Sequence, residues 1–124
     1  MTPTRRDLIE AAWIAAKWQF PDGYTIEDFA ADTGDWDFWP IVVQGALAGA
    51  IMVRGCDMHV CVQEQHFKRW ATPSLYRRVL NHKRKHGRLR TVVAEQHQAG
   101  RDFVERFGFR VYGNRGLDLL YELR

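Results

Sequence analysis

Long apolar runs are missing from this 124-residue chain. None approaches the ~20 residues that a spanning helix needs, so no membrane partner is expected. Asp7 and Glu10 interrupt the opening stretch MTPTRRDLIE, where a secretory leader would have an unbroken apolar core, and no leader is expected either. Cysteine is scarce. Cys56 and Cys61 stand five apart with no second pair and no histidine at a ligand spacing, which excludes a disulfide framework and a zinc site of the usual kind and points to a reduced, cytoplasmic setting. Internal repeats and low-complexity segments are absent. With 46% apolar and 27% charged residues, the composition is that of a globular chain, read here as a single domain over residues 1–124.

The longest stretch without a carboxylate is also the most basic. Residues 65–94 contain nine basic residues and no acidic one, whereas residues 1–64 balance to −6 and residues 95–124 to zero. A segment of this kind attracts phosphate groups, nucleic acid or an acidic protein, and its opposition to the acidic first half suits electrostatic self-association into a homo-oligomer.

What is present is a regular alternation of helix and strand signals. Thr4, followed three residues later by Asp7, opens a helix with Leu8, Ile9, Ala12, Trp13 and Ala16 at helical spacing, stopped by Pro21, Asp22 and Gly23. Thr25 opens a short second helix that ends near Gly34. Residues 38–44 and 46–54 read as a hairpin about Gly45, and Met58 to Gln63 as a third strand; Pro40 places the first of these late or at an edge. Thr72, Pro73 and Ser74 start a third helix with Leu75, Tyr76, Val79 and Leu80 as its buried stripe, ending at Gly87. A short strand at Thr91 to Ala94, a helix from Gly100 to Phe107 stopped by Gly108, and two strands around a turn at Gly113 to Gly116 complete the chain. The order ααβββαβαββ specifies an α/β domain of the α+β layered kind, with a mixed sheet flanked by helices. Trp36, Phe38 and Trp39 in DWDFW, interleaved with Asp35 and Asp37, either form a partner-binding edge or a lip for cationic amines or, the favoured reading, seat the first two helices on that sheet.

Two histidine patterns bear on metal. His82 and His86 lie four apart on one helix, but no nearby carboxylate supplies a third ligand, and His59 stands alone in a strand. No metal is expected.

The stretch Gly100 to Gly113, GRDFVERFGFRVYG, combines a helix, its glycine stop and an aromatic strand start. Together with the Gly45 hairpin, Gly49 in its second arm, and the strand Met58 to Gln63 followed by a capped helix, it resembles the GNAT superfamily of acyl-CoA-dependent N-acetyltransferases over roughly residues 38–113. The resemblance implies a mainly antiparallel GNAT-like sheet, acetyl-CoA as acyl donor, and an amine on a small molecule or protein as acceptor. It implies a cofactor-binding set of Val60, Val62, Lys68, Arg69, Trp70, Ala71, Thr72 and His97. Glu64 and Glu95, at the ends of the two strands between which the family's sheet opens, are the candidate bases, and Tyr112 or Tyr76 is the candidate acid in place of the family's helix tyrosine.

The sequence departs from the family pattern in two places. The pyrophosphate loop, Arg/Gln-x-x-Gly-x-Gly/Ala in the family, is here Glu64 to Thr72, with Lys68 and Trp70 where glycines usually stand. Either Lys68 and Arg69 neutralise the phosphates in place of glycine amides, or Trp70 fills the site. His97 and Val104 stand where the family often has Asn and Tyr. Such a reduced form resembles GNAT-like proteins of bacteriophages, which keeps open a non-catalytic, virion-associated assembly role, with the virion as the location. Nucleic-acid binding through residues 68–90 is a further alternative.

Overall fold

The computed structural model describes residues 2–66 and 70–124. Four helices, α1 (Arg5–Ala16), α2 (Ile26–Asp32), α3 (Pro73–His86) and α4 (Gln98–Phe107), accompany six strands: β1 (Asp37–Val43), β2 (Ala46–Arg54), β3 (Asp57–Val62), β4 (Leu89–Ala94), β5 (Arg110–Arg115) and β6 (Asp118–Leu123). The element order is the one the sequence specifies. The strands form a mixed, mostly antiparallel sheet in the order β1-β2-β3-β4-β6-β5. The chain divides into two compact units, one of residues up to Arg54 with Val60–Thr72, the other of Gly55–His59 with Pro73–Arg124.

In the first unit both helices begin with a reciprocal cap. The Thr4 hydroxyl accepts the Asp7 N–H while the Asp7 carboxylate accepts the Thr4 N–H, and Thr25 with Asp28 repeats the device; each cap contributes about 1 kcal/mol. Leu8, Ile9, Ala12 and Ala16 of α1 pack with Phe29, Trp36, Phe38, Ala50, Met52 and Cys61 in one core. Trp13 stacks on Phe20 at 5.6 Å, and Phe20 lies 4.9 Å from Tyr24. Trp36, Phe38 and Trp39 are all buried, as expected of residues that seat helices on a sheet. Arg5 donates to the Trp36 and Thr33 carbonyls at 2.8 and 3.0 Å, closing the end of α2.

β1 is an edge strand, which accommodates Pro40. Val43 pairs with Ala46, leaving Gln44 and Gly45 as a two-residue turn with positive φ at both positions (52° and 81°), the type I′ pattern that matches strand twist. The register slips where Ile41 pairs with Gly49 and Val42 with Leu47, so Ala48 is an extra residue on β2. Beside this bulge, Gly49 touches the neighbouring strand so closely that a Cβ there would lie 1.9 Å from the Cys61 carbonyl oxygen.

In the second unit, β4 pairs in parallel with the start of β3 through Asp57 and Arg90, and the Arg90 N–H donates to the Cys56 carbonyl at 2.7 Å. β4 pairs antiparallel with β6 from Leu89↔Leu123 to Ala94↔Asp118, and β6 with β5. Leu89, Phe109 and Tyr121 are fully buried here.

Two expectations are corrected. The final turn is not Gly113 to Gly116: β5 continues to Arg115, and the reversal is made by Gly116 and Leu117, because Gly113 pairs with Leu120 inside the ladder. Tyr76 is not part of a buried stripe on α3. It is 41% exposed and meets Phe107 of α4 with the rings tilted by 39° at 4.5 Å, leaving Val79 as the buried residue of the helix.

Candidate active site

The expected site residues fall on two strand ends, one in each unit. In the first unit, Val62 is the last residue of β3 and buried, while Val60 is half-buried. The Gln63 N–H donates to the Ala48 carbonyl at 3.1 Å, which carries β2–β3 pairing one residue beyond the strand and against the bulge. Glu64, exposed, then opens a single 3-10 turn, Glu64–His66. Lys68 and Arg69 lie outside the described residues. Trp70 is buried, 3% exposed, and the Thr72 N–H donates to its carbonyl at 3.0 Å. Ala71 and Thr72 are exposed, as are Pro73 and Ser74 in the first turn of α3. The indole therefore does not stand out from the loop.

A helix N-terminus carries a partial positive charge and N–H groups without intrahelical acceptors. Residues 65–94 contribute no carboxylate of their own to the start of α3.

In the second unit, β4 ends at Ala94 and the chain turns at Glu95. The backbone here is held on both sides: the Glu95 N–H donates to the Leu117 carbonyl at 2.8 Å, and Arg101 Nη1 donates to the Glu95 carbonyl at 3.2 Å. The Glu95 side chain is exposed.

His97 forms the N-cap position of α4, yet no side-chain cap bond is made. Its ring instead folds over Gly100, where an added Cβ would lie 2.7 Å from Nδ1. The glycine that opens the GRDFVERF stretch is thus a seat for the imidazole. Tyr112 is elsewhere. It is the extra residue of a β5 bulge, 50% exposed, with the Arg90 guanidinium 5.4 Å from its ring centroid. Arg90 is the second residue of β4, about 13 Å along the strand from Ala94 at ~3.3 Å per residue, so Tyr112 and Glu95 belong to opposite ends of β4.

One polar cluster has no counterpart among the expected residues. Tyr121, buried on β6, donates its hydroxyl to Glu105 Oε2 at 2.8 Å, and burial, together with that carboxylate, raises the phenol above its ordinary range against the opposing pull of Arg101. Arg101 and Glu105 are four apart on α4, which signals a shared helix face, but nothing in the sequence pairs that face with Tyr121. The cluster fastens α4 to β6 while Arg101 also reaches the Glu95 carbonyl. The His82 and His86 rings lie 4.3 Å apart, tilted by 41°, and His82 Nε2 donates to the Gly55 carbonyl at 2.7 Å; among the described residues no three potential metal ligands come together.

No family model matches the sequence, and no curated protein matches it significantly. Solved structures do match in fold. The PaiA N-acetyltransferase of Thermoplasma acidophilum, in complex with coenzyme A, superposes with a TM-score of 0.66 at 17% identity, over 94% of this chain and 90% of that one. A GNAT-family acetyltransferase of Streptococcus pneumoniae gives 0.64 at 14% identity over 99% and 96% of the two chains. A GNAT-family acetyltransferase of Elizabethkingia anophelis with acetyl-CoA bound gives 0.63 at 11% identity over 99% and 92%. Superposing on these structures over nearly its whole length, with its six strands ordered β1-β2-β3-β4-β6-β5, the chain has the fold of the GNAT acetyltransferases.

Proposed function

We propose that this protein, acting as a single domain, is an acetyltransferase that transfers an acetyl group from acetyl-CoA to an amine. The observation that carries the reading is the fold shared with acetyltransferases whose structures hold coenzyme A and acetyl-CoA. When bound, acetyl-CoA supplies a thioester carbonyl open to attack and a thiolate that leaves. The chain's own residues do the rest. The first turn of α3, with Ala71 and Thr72 before it and Lys68 and Arg69 in the loop, neutralises the phosphates. Val60 and Val62 of β3 line the acyl donor's path, and His97 at the start of α4 contributes to the same binding. Glu95 takes the proton from the acceptor ammonium and so frees its lone pair. It is preferred to Glu64 because its peptide is fixed on both sides. Tyr112, stationed over Arg90, has no part in this scheme.

Two measurements test the reading. Acetyl-CoA at a hundredfold over its dissociation constant is expected to stabilise the fold by about 2.7 kcal/mol, read as a rise in melting temperature. Glu95→Gln is expected to keep that shift while lowering the rate of thiol release with an amine acceptor by a factor on the order of 100. Absence of any shift at millimolar acetyl-CoA refutes the function; a shift with full activity in Glu95→Gln moves the base to Glu64.

A further inference from the structure

Most of the positive charge of residues 65–94 lies beyond the reach of the helix start. On α3, Arg77, Arg78, Arg84 and Lys85 are all exposed, with exposed Ser74 before them and Asn81 between the two pairs. At about 100° per residue these six positions fall within an arc of roughly 120°, with buried Val79 on the far side. The cations form two rungs, Arg77–Arg78 and Arg84–Lys85, seven residues or about 10 Å apart along the axis. Among the described residues, Arg77, Arg84 and Lys85 have no carboxylate partner; Arg84 makes only a long contact, 3.5 Å, to Asn81 Oδ1.

The same arc carries no aliphatic or aromatic side chain. A protein partner gains its affinity largely from buried apolar and aromatic anchors, which this face does not offer. A phosphate backbone needs no such anchor, because its affinity comes from cations that displace condensed counterions. Arg84 and Lys85 also stand eleven and twelve residues beyond Pro73, about 17 Å along the helix, well past a diphosphate held at its start.

We propose that the exposed face of α3 binds the phosphate backbone of a nucleic acid without sequence preference. The binding stands independently of acetyl transfer and does not require it.

The test is fluorescence anisotropy with a labelled DNA duplex of mixed sequence. Four phosphate contacts give a slope of log K against log salt of about −3.6, so affinity falls on the order of a hundredfold between about 50 and 200 mM NaCl. The double variant Arg84→Ala/Lys85→Ala is expected to halve the slope and leave roughly a tenfold fall over the same range. Arg84→Lys/Lys85→Arg keeps the charges and is expected to keep the slope. Both residues are exposed and unpacked, and an unchanged melting temperature confirms that each variant folds. Failure to bind the duplex at the low-salt end overturns the proposal, as does a slope the alanine variant leaves unaltered. Equal affinity for poly-glutamate of matched charge reassigns the face to an acidic protein. A salt-sensitive dimer that excludes the duplex reassigns it to a second copy of this chain.

Discussion

Replacing Gly49 by alanine tests the close approach of β2 to β3 more sharply than any other single change. The new Cβ would lie 1.9 Å from the Cys61 carbonyl oxygen and 2.9 Å from both the Cys61 carbonyl carbon and the Val62 Cα. All three are backbone atoms, so no side chain can swing aside, and the strand itself has to move by more than an ångström. Overpacking of a rigid core costs 1–3 kcal/mol, and this clash belongs at about 3. An unfolding entropy of about 2.1 cal/mol/K per residue gives roughly 0.26 kcal/mol/K for a chain of this length, so the melting temperature should fall by about 11 °C. Gly45→Ala is the control. An added Cβ there meets nothing within 4 Å, but the residue has φ of +81°. The cost is conformational, about 1 kcal/mol, or a fall of about 4 °C. Both are read by calorimetry or circular dichroism on the same preparation. Equal shifts for the two variants, or a smaller one for Gly49→Ala, would refute the steric argument.

The remaining predictions concern ionisable groups. Glu122 is ion-paired with Arg124 and, at 3.3 Å, with Arg90; these partners, Arg124 first, hold its carboxyl below the ordinary carboxylate range. A lowered native pKa means that the pairing stabilises the fold above the unfolded value and is lost as pH falls through the folded one. Urea midpoints measured from pH 6 downward should therefore drop more steeply in the wild type than in Glu122→Gln; parallel curves would count against the pairing. Burial pushes the Cys61 thiol up to about 12, while Cys56 is half-buried. At pH 8 a thiol-specific disulfide reagent should titrate one cysteine in the native protein and two in denaturant, and Cys56→Ser should abolish the native reaction. Two rapidly reacting native thiols would be incompatible with the packing of Cys61.

The parts of the fold that were legible in the sequence are those set by neighbours along the chain. Thr4 with Asp7 and Thr25 with Asp28 announce helices because both halves of each cap lie within four residues. Gly45 announces a hairpin because only a few residue types accept the positive φ its turn requires. What stayed hidden depends on partners distant in sequence. The Tyr112 bulge is a property of the β5–β6 register, and no local signal distinguishes Gly113 in a ladder from Gly113 in a turn. Tyr76 has the spacing of a core residue, yet what lies beneath it is decided by α4, thirty-one residues on at Phe107. Among the candidate residues, the strand ends carrying Glu64 and Glu95 could be anticipated from the order of elements. The clamp on Glu95 could not, since it joins Leu117 and Arg101 from two other elements.

That clamp alters what the tip of the β5–β6 hairpin means for the protein. Gly116 and Leu117 are exposed at a two-residue turn, the sort of place where chains ordinarily tolerate length variation and where tags are grafted with little effect. Here the Leu117 carbonyl is a tether for the Glu95 peptide, so lengthening the tip by even one residue changes the anchorage of a distant carboxylate. A surface turn with nothing of its own to catalyse thereby becomes a length gauge for the end of β4.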